Sequence, residues 1–221
     1  YSTNGSNNGT AVGCSTNGSN SGTAVGYSTN GSNNGTAVGC STNGSYNGVA
    51  LGYGASTYNK NFSVAKGFRS HAERWNEEVK SSDGAYTTKY SYSTLAWHKE
   101  TTDATQVEIF LGGTTNQRAT VLASSAFGFS IYITALNNAD GKGKRWKIEG
   151  LIKRDGSNNT ALVGSVVKTV IAQSDASGGT QGWDVVVTAD DTNEALKIEV
   201  KGEEDKAIRW ICRGEIEEVR F

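Results

Sequence analysis

The sequence predicts an all-β protein in two parts: an N-terminal β-roll or β-solenoid of 13-residue coils, then a C-terminal antiparallel β-sandwich resembling a jelly roll. Three observations carry this. Four 13-residue units fill the first 52 residues. Proline is absent from all 221 residues, and proline cannot donate to a β-ladder. Beyond residue 89, strand-like segments follow one another at about 8–12-residue spacing. The expected boundaries are a roll shaft over 1–67, a transition or neck over 68–88, and a sandwich tip over 89–221.

The repeat reads YSTNGSNNGTAVG, CSTNGSNSGTAVG, the first unit again, then CSTNGSYNGVALG. A stretched fifth unit runs from Tyr53 to Gly67. Tyr1, Tyr27 and Tyr53 alternate with Cys14 and Cys40 at one phase. Glycines recur at fixed phases, as turns with positive φ require. Each unit also carries an apolar pair such as Ala11-Val12 or Ala50-Leu51. A flexible linker has no reason to keep these phases, so the segment reads as ordered coils. Each coil holds two short strands and two turns, with Asn and Ser forming polar ladders between coils. If Ala and Val alternate along a strand, one points inward and the other outward. So little apolar surface per coil is a small return for ordering 13 residues. Association of three chains around an axis would bury a second face, and a homotrimer is expected.

After Gly67 the stretch from Ala72 to Val79 looks most helical, without clear capping signals. Strands are then expected at Gln106–Leu111 and Arg118–Ala123, paired as a hairpin across Gly112-Gly113. Phe127–Leu136 is apolar enough for a strand buried on both faces. Arg145–Arg154 places Trp146, Ile148 and Ile152 on one face. Ser165–Ala172, Trp183–Ala189, Ala195–Lys201 and Ala207–Val219 complete the set. In the last, Ile208, Trp210, Cys212 and Ile216 share a face.

Net charge is −1, which gives no electrostatic case for nucleic acid or an anionic membrane. No apolar run approaches the roughly 18 residues that span a bilayer. Opening at Tyr1 and lacking methionine, the chain reads as a fragment or a mature product. Three cysteines make no disulfide framework and no zinc motif. No cofactor is expected.

The units TAVGYSTNG, VALGYGAST and SVAKGFRSHA resemble the head repeats of trimeric autotransporter adhesins. They resemble still more the related SVALG-type and SHAEG-type repeats of phage tail fibres. Here Ser70-His71-Ala72-Glu73 is followed by Arg74, where that family places Gly, and the roll is expected to end there. Residues 161–170, 183–190 and 207–213 resemble a C-terminal module of predicted phage tail fibres. The resemblance implies a receptor-binding fibre: a homotrimer that attaches a particle to a bacterial surface glycan or protein, joined to upstream fibre or baseplate proteins. It implies a virion tail location after assembly in the host cytoplasm. Rival readings are a bacterial trimeric adhesin head and a polysaccharide-depolymerising tailspike.

Signals for catalysis are few, and the chain is expected not to be an enzyme. The two histidines are His71 and His98. No GxSxG or HExxH motif occurs. His71 is the one metal candidate, as a ring of three around a trimer axis. Paired carboxylates that could serve glycoside hydrolysis are Asp190-Asp191, Glu203-Glu204 and Glu217-Glu218. The first two pairs read as turn residues, and the last points to opposite faces of a strand. Trp75, Tyr86, Tyr90, Tyr92 and Trp97 read as aromatics packing the trimer junction, with sugar stacking as the rival role. Receptor contact is placed on two exposed turns, at Asn137, Asn138, Asp140, Lys142 and Lys144, and at Asp155, Asn158 and Asn159.

Overall fold

The computed structural model describes residues 2–81, 90–174 and 182–220. Two compact units are found, Tyr1–Thr94 and Leu95–Phe221. Every regular element among the described residues is a β-strand.

The first unit is a β-solenoid. Short strands β1 (Thr3–Gly5), β3 (Thr16–Gly18), β5 (Asn30–Gly31) and β7 (Asn43–Gly44) stack in parallel on one side. Longer strands β2 (Thr10–Cys14), β4 (Thr23–Tyr27), β6 (Thr36–Cys40), β8 (Val49–Tyr53), β9 (Val64–Gly67) and β10 (Glu77–Ser81) stack on the other. The register keeps each repeat position on one line, so Ala24, Ala37, Ala50 and Ala65 form a fully buried column. Their neighbours Val12 and Val38 point outward and are exposed. The interior is narrow and small side chains fill it, alanine in these four coils and Val79 next to Ala65.

The corners explain the rest of the repeat. Asn20 and Ser21 both have positive φ, and the Gly22 N–H donates to the Ser19 carbonyl at 2.8 Å. This is a two-residue turn of the I′ kind, for which asparagine is well suited. The same side chains form a ladder outside: Asn7 donates to Asn20 at 3.0 Å, and Asn20 to Asn33 at 3.1 Å. At Gly26, φ is +133°, and a Cβ would lie 1.8 Å from the Gly39 carbonyl oxygen. Glycine there lets successive coils touch through backbone alone.

Two expectations for the roll's end are corrected. The ladder does not stop at Arg74: Val79 pairs with Ala65 and Ser81 with Gly67. Nor is Ala72–Val79 a helix. Val79 follows Ala65 in the inner column and β10 is drawn onto the exposed edge of β9, so tertiary pairing overrides a weak local preference.

The second unit contains two antiparallel-paired strand groups. In the first, β15 (Ser125–Asn137) lies between β16 (Gly143–Arg154) and β21 (Ile208–Arg220), antiparallel to both. Next to β21 lies β11 (Tyr90–Thr101), whose residues from Leu95 belong to this unit, and β11 also takes β13 (Phe110–Leu111). β16 carries β17 (Thr160–Leu162) and β18 (Val167–Gln173). In the second group, β20 (Ala195–Lys201) pairs with β12 (Gln106–Glu108), β14 (Ala119–Thr120) and β19 (Asp184–Asp190). Buried Trp146, Trp183 and Trp210 meet in the core, with ring centroids 5.8 and 6.1 Å apart.

The alternation in β16 and β21 is as the sequence predicts, with Ile148, Ile152, Ile208, Cys212 and Ile216 all buried. Two readings change. The hairpin across Gly112-Gly113 does not form, because β12 and β14 each pair with β20 instead. β15 is buried on one face only; Gly128, Ser130, Tyr132 and Thr134 lie on the other, which is more open.

Candidate functional site

The two turns singled out for receptor contact lie at opposite ends of β16. Twelve residues of strand separate them, or about 36–40 Å at the usual rise. They cannot form one binding surface on one chain. Within the first turn, Asn137 and Lys144 are buried. The Asn137 side chain accepts from the Ala139 N–H at 2.8 Å, and Lys144 Nζ donates to the Trp183 carbonyl at 3.0 Å. Burial lowers the pKa of Lys144. Both residues brace the turn rather than present it. Asn138 and Asp140 are exposed, while Lys142 is half-buried. In the second turn the Asp155 carboxylate accepts from Asn159 and Ser157, which holds its pKa below the ordinary value. Asn158 accepts from Arg154 at 2.8 Å.

Of the aromatics, Trp97 is buried against Gly214, where a Cβ would meet its ring at 2.9 Å. It is a core residue of the second unit, which corrects its reading as a junction aromatic. Tyr90 and Tyr92 are exposed, and Trp75 is half-buried. Tyr86 lies outside the described residues. His98 packs beside Gly113, and His71 Nε2 lies 3.2 Å from the Gly54 carbonyl oxygen. Among the described residues, no group of three or more His, Cys, Asp or Glu side chains is placed to hold a metal ion.

Four of the six candidate carboxylates, Asp190, Asp191, Glu203 and Glu218, have structural partners. Asp190 caps its turn by accepting from the N–H groups of Thr192 and Asn193. Asp191 accepts from Thr160 N–H, and Glu203 from Trp183 Nε1. Glu218 is buried beside Arg220 at 3.2 Å. Glu217, on the opposite face, lines a hollow of about 310 Å³ with Gly128, Phe129, Ser130, Glu149, Gly150 and Glu215.

This hollow is built by register. Ser130 pairs with Glu149 on one side and Glu215 on the other, so these three form one rung across three strands. Gly128 pairs with Glu217, and nothing lies within 4 Å of where its Cβ would be. The missing side chain leaves the floor open. Strand spacing puts the Glu149 and Glu215 backbones about 9.6 Å apart across Ser130. Lys147 pairs with Glu149 at 2.9 Å, and Arg213 pairs with Glu215. Each glutamate looks like an ordinary outward strand residue in sequence. Only the pairing of β16 and β21 on either side of β15 brings them together.

No protein-family model matches the chain, and comparison with curated proteins finds no match. Among solved structures, the chain is similar to tailspike gp49 of Acinetobacter baumannii bacteriophage Fri1, described as a capsular polysaccharide depolymerase. Identity is 9% and TM-score 0.37, over 93% of this chain and 41% of that one. It is also similar to the tailspike of Acinetobacter baumannii phage AM24, at 8% identity and TM-score 0.29, over 85% of this chain and 34% of that one. The chain thus spans about two fifths or less of the length of these proteins. The first likeness runs against the expectation that the chain is not an enzyme, and that expectation is withdrawn. Likeness at this level assigns no active site.

Proposed function

We propose that this chain is the surface-engaging part of a phage-type tail fibre or tailspike, acting on a bacterial surface polysaccharide. The observation that carries the reading is the solenoid. Repeats that resemble those of tail fibres fold into in-register coils, with alanines inside and a ladder of asparagines outside. Such a shaft is stiff and uncharged through its first four coils, which suits it to carrying a recognition unit toward a cell. We read the two strand groups of the second unit as a β-sandwich tip, and the molecule as a homotrimer. The exposed column containing Val12 and Val38 supports association, because it is apolar surface that further copies can bury. Receptor contact at Asn138, Asp140 and Lys142, or at Asp155, Asn158 and Asn159, belongs to this proposal, on different ends of the tip.

Two measurements test it. Light scattering gives the solution mass, with three chains expected. Immobilised bacterial capsular and lipopolysaccharide glycans give binding, with saturable capture of at least one expected. A monomer that captures none of them removes the reading.

The glutamate hollow favours cleavage as well as binding. In this second reading Glu149, Glu215 and Glu217 supply the acid and base of glycoside hydrolysis. Release of reducing ends from a bound polysaccharide, lost in Glu215→Gln, is the expected result. Binding without any release leaves the hollow a surface feature.

A further inference from the structure

The fifth coil departs from the repeat at a corner where the earlier coils are uniform. Ser15, Ser28 and Ser41 each hold that corner at φ 55°. Gly54 and Arg69 take the next two places, at φ 65° and 52°. The rungs establish the correspondence. Ser28 N–H donates to the Cys14 carbonyl and Ser41 N–H to Tyr27, both at 2.9 Å. Gly54 donates to Cys40 at 2.8 Å and Arg69 to Tyr53 at 2.7 Å.

With no side chain at Gly54, a hollow of about 280 Å³ opens, lined by Ser41, Tyr53, Gly54, Arg69 and His71. Tyr53 stacks on Phe68 with centroids 5.2 Å apart and planes 13° from parallel. On the opposite side its rung partner is the small Cys40, which leaves that ring face uncovered by any aromatic. The Arg69 stem passes over Gly54, its Cγ 3.1 Å from where a Cβ would be. The guanidinium lies 5.1 Å from the Phe68 ring centroid. Tyr58 meets the His71 ring edge-on at 4.7 Å. The Nε2 contact to the Gly54 carbonyl oxygen makes Nε2 the protonated nitrogen and Nδ1 the acceptor in the neutral ring.

We propose that this hollow binds an acidic sugar residue, such as a uronic acid, of a bacterial surface polysaccharide. The inference rests on the proposed engagement of such polysaccharides and gives it a site on the solenoid. An aromatic face at one wall suits the apolar face of a pyranose ring. Arg69 offers a planar fork of donors, which matches a carboxylate better than a hydroxyl. Ser41 and His71 supply hydroxyl-binding groups. None of the five lining residues is a carboxylate, so nothing in the wall repels an acid.

The test uses the intact chain, a glucuronic acid-containing capsular polysaccharide, and the same polysaccharide after its carboxyls are reduced to alcohols. Gly54→Ser restores the residue that earlier coils carry at this corner, so the backbone is kept while the hollow is filled. Arg69→Asn keeps the left-handed backbone and removes the guanidinium. The parent chain is expected to bind the acidic form and to weaken by about tenfold or more on the reduced one. Gly54→Ser and Arg69→Asn are expected to lose a similar factor while each still unfolds in one cooperative thermal transition, the serine lowering its midpoint slightly at the positive φ of this corner. If the parent binds acidic and reduced forms equally, or the variants bind as the parent does, the inference fails while polysaccharide engagement stands. If the parent binds neither this polysaccharide nor any other surface glycan, engagement fails and the inference with it.

Discussion

Arg74 Nη1 and Glu77 Oε1 form an ion pair at 3.0 Å in which both side chains are 1% exposed. The other Glu77 oxygen accepts from the backbone N–H groups of Glu73 and Arg74, at 2.7 and 3.0 Å. The last coil thus holds a buried charged pair whose carboxylate is hydrogen-bonded through both oxygens. Burying two charges is costly unless each is hydrogen-bonded, and removing one partner strands the other.

Glu77→Ala is therefore expected to destabilise the solenoid by about 3–5 kcal/mol. A joint Arg74→Met and Glu77→Leu change is expected to cost far less, because neither charge is left alone. Urea unfolding of the intact chain and both variants checks this. Equal losses in the two variants would show that packing, not the stranded charge, sets the cost.

Close backbone approach in the coils gives a second expectation. At Gly39, φ is +139° and a Cβ would come within 1.8 Å of the Gly52 carbonyl oxygen. Gly39→Ala must separate two coils, at a cost of at least about 2 kcal/mol. Thermal unfolding reads it out as a lowered midpoint. An unchanged midpoint would mean that the coils are not in this register.

The cysteines separate by burial. Cys212 is fully buried, and desolvation pushes its thiol pKa well above the ordinary value. Cys14 and Cys40 are half-buried on the solenoid face. A Cys14→Ser, Cys40→Ser chain is expected to take up no maleimide while folded and one equivalent once unfolded, as mass spectrometry would show. Native labelling of that chain would contradict the β21 packing.

The turn after β16 carries a pH dependence. Hydrogen bonds from Asn159 and Ser157 lower the Asp155 pKa below its ordinary 3.8. A carboxylate with a lowered folded pKa contributes stability above its unfolded value and loses it as pH falls through the folded one. The turn over 155–159 is expected to loosen only below about pH 4. Amide exchange at Asn159 should show that step, and Asp155→Asn should abolish it.

What the sequence showed, and what it hid, follows from the range of the signals. The strict phase of Ala11, Ala24 and Ala37 announced a stacked column, because one side chain per coil must fit the same narrow interior. Strands β16, β20 and β21 were legible from alternation, a local property. The Gly112-Gly113 hairpin was misread because its two strands find better partners in β20, far along the chain. The helix over Ala72–Val79 was misread for the same reason, since the free edge of β9 decides it. The glutamate hollow was hidden because Glu149 and Glu215 sit 66 residues apart and meet only across Ser130. The corner hollow was hidden because Arg69 stands outside the 13-residue phase, 15 residues after Gly54, and aligns with it only through the rung to Tyr53.

The most direct test of the account is binding of the intact, labelled chain to an encapsulated bacterium and to an isogenic strain without capsule, across a panel of capsule types. The account predicts saturable binding to at least one encapsulated strain, lost in its acapsular partner and competed by the purified polysaccharide. Equal binding to both members of every pair, or to none, would contradict it.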